Sequence, residues 1–277
     1  MSEDYSDVVK QAKEYYDSYD ADEFYYRVWG GEDFHLGIYE HEDEPIFDAS
    51  RRTVQTIADQ VTLNENTRVV DIGAGYGGAA RFIASQYGCK VSCLNLSERE
   101  NERNRQKNRE QNLDHLIEVI DGSFESLPYE DASFDVVWSE DAILHSGDKE
   151  SVVKEVARIL KKGGSFVFTD PMQADDCPEG VIDPILERIN LDSMGSVKLY
   201  RELAAKNGLK EVNVIDLAKY LPMHYDRVRR ELESRYDEII GIISKEYVDN
   251  MIRGLVRWVE GGRNGYLNWA LMHFRKE

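Results

Sequence analysis

Two short stretches carry the side chains best suited to chemistry. The first is Val69-Val70-Asp71-Ile72-Gly73-Ala74-Gly75-Tyr76-Gly77-Gly78. An apolar run ends in an acid, a glycine-rich turn follows, and a helix-forming segment takes over. Gly73 and Gly75 let the backbone turn sharply and lie close to a ligand, while Gly77 and Gly78 let the next helix open and pack. The free N–H groups of that helix then face a polar or anionic ligand. Glycine spacing alone also fits dinucleotide turns, but there the first glycine usually follows the apolar strand directly. Here Asp71 stands between strand and turn. The second stretch is Ser139-Glu140-Asp141-Ala142-Ile143-Leu144-His145, with an acid and an imidazole four positions apart. That spacing is one turn if the segment coils. His145 can accept or relay a proton near neutral pH, and Asp141 can orient the ring or hold a cationic amine. A packing histidine on the turn after a strand is the plainer reading of His145.

Hydrophobic periodicity supplies the elements that must hold these stretches. An amphipathic helix is predicted over 5–19 and another over 45–60. Strands are predicted over 67–72, 90–95 and 116–120, in a fourth run through Phe134 and Trp138, and over 165–169. Helices over 77–87, from Ser97 to about 112, and over 148–160 alternate with them, which implies a parallel sheet covered on both faces. Ligands of such sheets lie off the carboxyl ends of the strands. Residues 173–207 look helical, capped at Ser196 and stopped at Asn207-Gly208. A strand over 210–217, a long helix over 223–260 ended by Gly261-Gly262, and a final strand over 264–274 complete the pattern. The helical insertion before the last strand is a natural lid. Expected boundaries are an aromatic-rich arm over 1–44, a ligand-binding core over 45–172, and a completion of the sheet over 173–277 with its lid over 222–262, all in one structural domain. Ser97 and Glu100 form a capping box, and both the charge run behind it and His41-Glu42-Asp43-Glu44 look solvated. The aromatic stretch from Phe24 to Tyr39 has two compatible uses: gluing the arm to the core, and roofing a cationic ligand with ring faces.

Composition narrows the partners. Fifty-three acids against 34 bases leave a net charge of -19, which opposes nucleic acid and anionic membranes alike. No apolar run is long enough to span a bilayer. The acidic start, Met1-Ser2-Glu3-Asp4, lacks a secretory pattern, so a cytoplasmic location is expected. Cys89, Cys93 and Cys177 make no C-x-x-C pair and suit packing as thiols, and no metal site is expected.

The D-x-G-x-G-x-G-G turn resembles the first motif of class I S-adenosylmethionine-dependent methyltransferases. With the arm from Trp29 to Tyr39, the segment from Ser139 to His145, and Asp170-Pro171-Met172, the chain resembles the small-molecule N-methyltransferases of glycine betaine synthesis, above all the sarcosine/dimethylglycine branch. The resemblance implies an α/β, Rossmann-like fold with a mostly parallel seven-stranded sheet, S-adenosylmethionine as cofactor, a small amino-acid amine as acceptor, and a monomer. Around the cofactor it implies Trp29, Asp71, Gly73, Gly75, Asn95, Leu96 and Ser139. Asn95 stands where such folds usually carry a ribose-binding acid. Asp121, Gly122 and Ser123, at a strand end, suit the adenine edge. His145 and Asp141 correspond to the acid and histidine beside the acceptor nitrogen in the related phosphoethanolamine enzymes. Tyr19, Tyr25 and Tyr26 are expected to cage the amine with Trp29, and Pro171 and Met172 to form an apolar wall suited to an N-methylated amine. The acceptor carboxylate needs a cation, but nothing singles out one of Arg227, Arg229 and Arg230. Methyl transfer is an in-line displacement, for which alignment can supply ~7–11 kcal/mol, and the amine must first lose its proton.

Overall fold

The computed structural model describes residues 7–189 and 191–277. Seven strands are present: β1 (Arg68–Ile72), β2 (Lys90–Asn95), β3 (Ile117–Asp121), β4 (Phe134–Glu140), β5 (Leu160–Gln173), β6 (Leu209–Asp216) and β7 (Leu267–Lys276). They form one sheet in the order β3-β2-β1-β4-β5-β7-β6. The first five are parallel, and β7 runs antiparallel between β5 and β6. The chain moves outward from β1 to β3 and then returns to β4 on the other side of β1. A crevice opens at such a reversal, off the carboxyl ends of the strands. Register aligns Asp71 with Cys93 and Trp138, and Asn95 with Asp121, so these ends share one edge.

Strand periodicity sorts the core into two layers. Val70, Ile72, Val137, Phe166 and Phe168 face one side, where α6 (Lys149–Ile159) and α8 (Val197–Lys206) cover them. Val69, Val91, Trp138 and Val167 face the other, beneath α3 (Ile46–Ala58), α4 (Gly78–Tyr87) and the lid helices α9 (Tyr220–Ser234) and α11 (Lys245–Arg263). Cys89 and Cys93 are buried free thiols in that second layer. No helix among the described residues is long and apolar enough to cross a membrane.

Several boundaries depart from the sequence expectation for identifiable reasons. The first helix breaks at Ser18, whose Oγ accepts the Ala21 N–H and starts a new helix. The arm is therefore α1 (Asp7–Asp17), α2 (Tyr19–Phe24) and a π-turn (Tyr25–Trp29); residues 5 and 6 lie outside the described part. The stretch 173–207 is not one helix. Pro178 and Gly180 interrupt it, and Pro184 sits in the first turn of a new short helix, leaving α7 (Asp183–Leu186), a 3-10 turn (Glu187–Ile189) and α8, which Ser196 does cap. The long helix over 223–260 divides near Gly241, and α11 starts at its own cap, Ser244. Gly261 and Gly262 do not stop α11. A Cβ on either would meet Leu267, Leu221 or Pro222 at 2.9 Å, so they allow close packing instead. Two solvated segments are partly buried: α5 (Glu98–Glu110) turns Glu100, Asn101, Asn104 and Asn108 inward, and Glu44 is buried on Arg52.

Candidate active site

The glycine turn is wedged in place from two sides. Gly73 has φ 88° and Gly75 φ 49°, a region that L side chains avoid. A Cβ on Gly73 would lie 2.3 Å from the Ala142 Cβ, and one on Gly75 2.4 Å from the Phe34 ring. The Gly73 and Ala74 N–H groups donate to Leu94 O at 2.8 and 3.2 Å. The arm thus lies directly on the turn. Three backbone groups of the arm hold it there. The Leu36 N–H donates to Asp141 Oδ2 (2.7 Å), the Gly37 N–H to His224 Nδ1 (3.0 Å), and Leu36 O accepts from Thr53 Oγ1 (2.9 Å).

Beneath the arm runs a cavity with about 210 Å³ open to the centre of a water-sized sphere. Roughly 10–15 Å³ of such space holds one water, so the cavity is of ligand size. At the turn end it is lined by Asp71, Gly73, Gly75, Asn95, Leu96, Gly122, Phe124 and Glu140. Towards the lid, the lining includes Tyr25, Trp29, Asp141, His145 and Pro171, joined by Tyr15, Tyr16, Tyr225, Met251, Leu255 and Trp258. Residues predicted from six separate parts of the chain therefore meet.

Six predicted residues do not line it. Tyr19 is exposed, with Arg99 over its ring. Tyr26 packs outside the arm on Tyr76, beneath Arg103 and Lys107. Asp121 turns outward to Arg105 and Asn101, leaving only Gly122 of its trio at the cavity. Ser123 Oγ accepts the Glu125 N–H, and Ser139 Oγ donates to Ile72 O, stitching β4 to β1. Met172 is fully buried in the opposite core layer, because it alternates with Pro171 along β5.

The polar groups divide the site. His145 Nε2 and Tyr16 Oη share a hydrogen bond of 2.8 Å. Burial, helped by nearby Lys149, lowers His145 to about 4, so it is neutral at pH 7, and burial keeps Tyr16 protonated. Asp141 does not orient this imidazole, contrary to expectation. Its second oxygen accepts Trp269 Nε1–H at 2.8 Å, so the carboxylate clamps the arm to β7. It does so in a left-handed backbone conformation (φ 52°). At the turn end, burial would lower His35, but its 3.0 Å ion pair with Glu140 raises it to about 10. Burial, then Glu140, pushes Asp71 well above the usual carboxylate range. Glu100 accepts from Asn95 Nδ2 at 2.8 Å through one oxygen, while its other oxygen is buried and unpartnered. Burial raises this carboxyl to about 8.

Orphaned acceptors on Glu100 and Glu140 fit the hydroxyl and ammonium donors of a ligand beside the glycine turn, and the orphaned Trp29 N–H fits an acceptor such as that ligand's carboxylate. Sequence reasoning missed Tyr16, although it stood on the apolar face of the predicted first helix. Glu100 had been used up as a cap. Arg188, which also lines the cavity, carried no signal because its segment looked like plain helix.

Residues 70–168 match the methyltransferase domain family. The chain is 54% identical to the sarcosine/dimethylglycine N-methyltransferase of Halorhodospira halochloris, over 100% of both chains. This chain belongs to the sarcosine/dimethylglycine N-methyltransferase family. It is an enzyme of Rossmann-like methyltransferase fold. The crystal structure of a candidate sarcosine dimethylglycine methyltransferase from Galdieria sulphuraria superposes with a TM-score of 0.90 at 44% identity, covering 95% of this chain and 99% of that one. Phosphoethanolamine N-methyltransferase 2 of Haemonchus contortus, solved with S-adenosyl-L-methionine, is 17% identical with a TM-score of 0.84. It covers 100% of this chain and 61% of its own, and it shares the fold.

Proposed function

We propose that this methyltransferase, working in the cytoplasm, carries the methyl group of S-adenosylmethionine to the nitrogen of sarcosine and dimethylglycine, giving glycine betaine. The observation that carries the reading is one continuous cavity. It joins the glycine turn to a ring-walled chamber in which, among the described residues, the one imidazole at the acceptor end is neutral. When bound, S-adenosylmethionine supplies an electrophilic methyl on a sulfonium. The residues suited to hold it are Gly73 and Gly75 by close backbone approach, Glu140 and Asp71 facing its ammonium, Asn95 with Glu100 at the ribose hydroxyls, and Gly122 with Phe124 at the adenine. Glu100, through its unpartnered buried oxygen, supplies the carboxyl that Asn95 lacks.

The acceptor must present a lone pair, and an ammonium has none. Rings of Tyr15, Tyr25, Tyr225 and Trp258, with Pro171 and Leu255, strip water from the amine and so favour its neutral form. His145 is a relay rather than a store: neutral at pH 7, it takes the proton of the acceptor's ammonium and releases it to bulk water before methyl transfer, while its 2.8 Å bond to Tyr16 Oη holds the ring in place. The quaternary nitrogen of the product keeps only ring faces as partners and needs no proton transfer before release.

Labelled S-adenosylmethionine offered with glycine, sarcosine, dimethylglycine or phosphoethanolamine, with products identified by mass, tests the reading. Label is expected in dimethylglycine from sarcosine and in betaine from dimethylglycine. Transfer confined to phosphoethanolamine or glycine would refute it.

A further inference from the structure

We propose that Arg188 anchors the carboxylate of the acceptor and so makes the enzyme select amino acids over plain amines. The proposal rests on the reading above, that sarcosine and dimethylglycine are the acceptors. Among the described residues, Arg188 is the one Lys or Arg lining the cavity. It stands on the 3-10 turn between α7 and α8, and its guanidinium reaches the lid end, against α11. There its hydrogen-bond acceptor is Met251 Sδ, at 2.9 Å. A thioether is a weak, uncharged acceptor, and no carboxylate pairs with Arg188 among the described residues. The three arginines near the lid in sequence are already engaged. Arg227 pairs with Glu231, Arg229 with Asp226 and Glu233, and Arg230 with Asp43.

A planar guanidinium matches a carboxylate two bonds to two. Its place against Met251 and Gly254 of α11 holds the carboxylate of an amino acid at the lid end and leaves the nitrogen free to point inward. Gly254 makes this possible. A Cβ there would fall 2.3 Å from the Arg188 Cζ and Nη1, so only glycine lets the guanidinium lie flat on α11.

Two variants and two acceptors test the proposal: Arg188→Gln and Gly254→Ala, each with dimethylglycine and with its primary amide. Arg188→Gln is expected to raise KM for dimethylglycine roughly 10–100-fold, the loss of a charge-assisted bond. KM for the amide and the calorimetric Kd for S-adenosylhomocysteine should stay within about threefold, since neither meets the lost charge. Dimethylglycine binding to the enzyme loaded with S-adenosylhomocysteine should weaken in parallel. Gly254→Ala keeps the charge and improves helix propensity, yet should shift the same KM in the same direction. An unchanged KM for dimethylglycine in Arg188→Gln, or an equal rise for acid and amide, overturns the anchor while leaving the acceptor reading intact. If the wild type methylates neither sarcosine nor dimethylglycine, the acceptor reading falls and the anchor with it.

Discussion

At the level of single side chains, His145 is the sharpest case. A histidine held neutral by burial has a stability signature whose sign follows from its pKa. Between pH 6.5 and about 4 the unfolded chain takes up a proton that the folded one refuses. The stability advantage of the wild type over His145→Gln should therefore be flat above about pH 6.5. It should shrink by on the order of 3 kcal/mol as pH falls towards 4. Chemical denaturation at several pH values measures this; an advantage that grows on acidification would mean a charged imidazole. The same variant should bind S-adenosylhomocysteine like the wild type and lose roughly 10²–10⁴ in turnover. His145 was legible in the sequence because the segment from Ser139 to His145 is distinctive. Its partner was not, because nothing in a sequence brings Tyr16 on the arm to within 2.8 Å of a residue far down the chain.

The arm is the element on which the chamber depends, and Asp141 is its clamp. Replacing Asp141 with Ala leaves the Leu36 N–H and the Trp269 indole N–H without acceptors. It also places a Cβ residue at φ 52° with no side-chain bond to hold it there. A loss of about 2–5 kcal/mol in unfolding free energy is expected. Asp141→Asn keeps one acceptor and tolerates the left-handed backbone, so it should lose less and keep much of its turnover. Were Asp141 instead the proton acceptor, the Asn variant would be stable and dead. Elements with strong periodicity, such as β1, α4, β2 and α6, were readable to within a residue or two. The insertion was not. Its helical residue types are overridden by Pro178 and Gly180, and it is there that Arg188 finds its place. Outward and inward choices were also hidden: Tyr26 and Tyr25 are adjacent and chemically alike, yet only Tyr25 faces the cavity.

For the molecule as a whole, the sheet supplies a rigid edge and three remote segments close over it. These are the arm, the insertion before α8, and the pair α9 and α11. Tyr15 of the arm bonds Tyr247 of α11 at 2.9 Å, and Asp20 of the arm accepts from Ser244 at the start of that helix. The roof is thus tied to the lid across most of the chain's length. A crystal structure of the enzyme with S-adenosylhomocysteine and dimethylglycine examines that arrangement at once. The nucleoside should lie against the turn at Gly73 and Gly75, with the amine walled by Tyr25, Tyr225 and Trp258. A methyl placed on the sulfur should come within about 3–3.5 Å of the nitrogen, in line. A nucleoside bound away from that turn, or an amine open to bulk water, is incompatible with everything concluded about how this enzyme works.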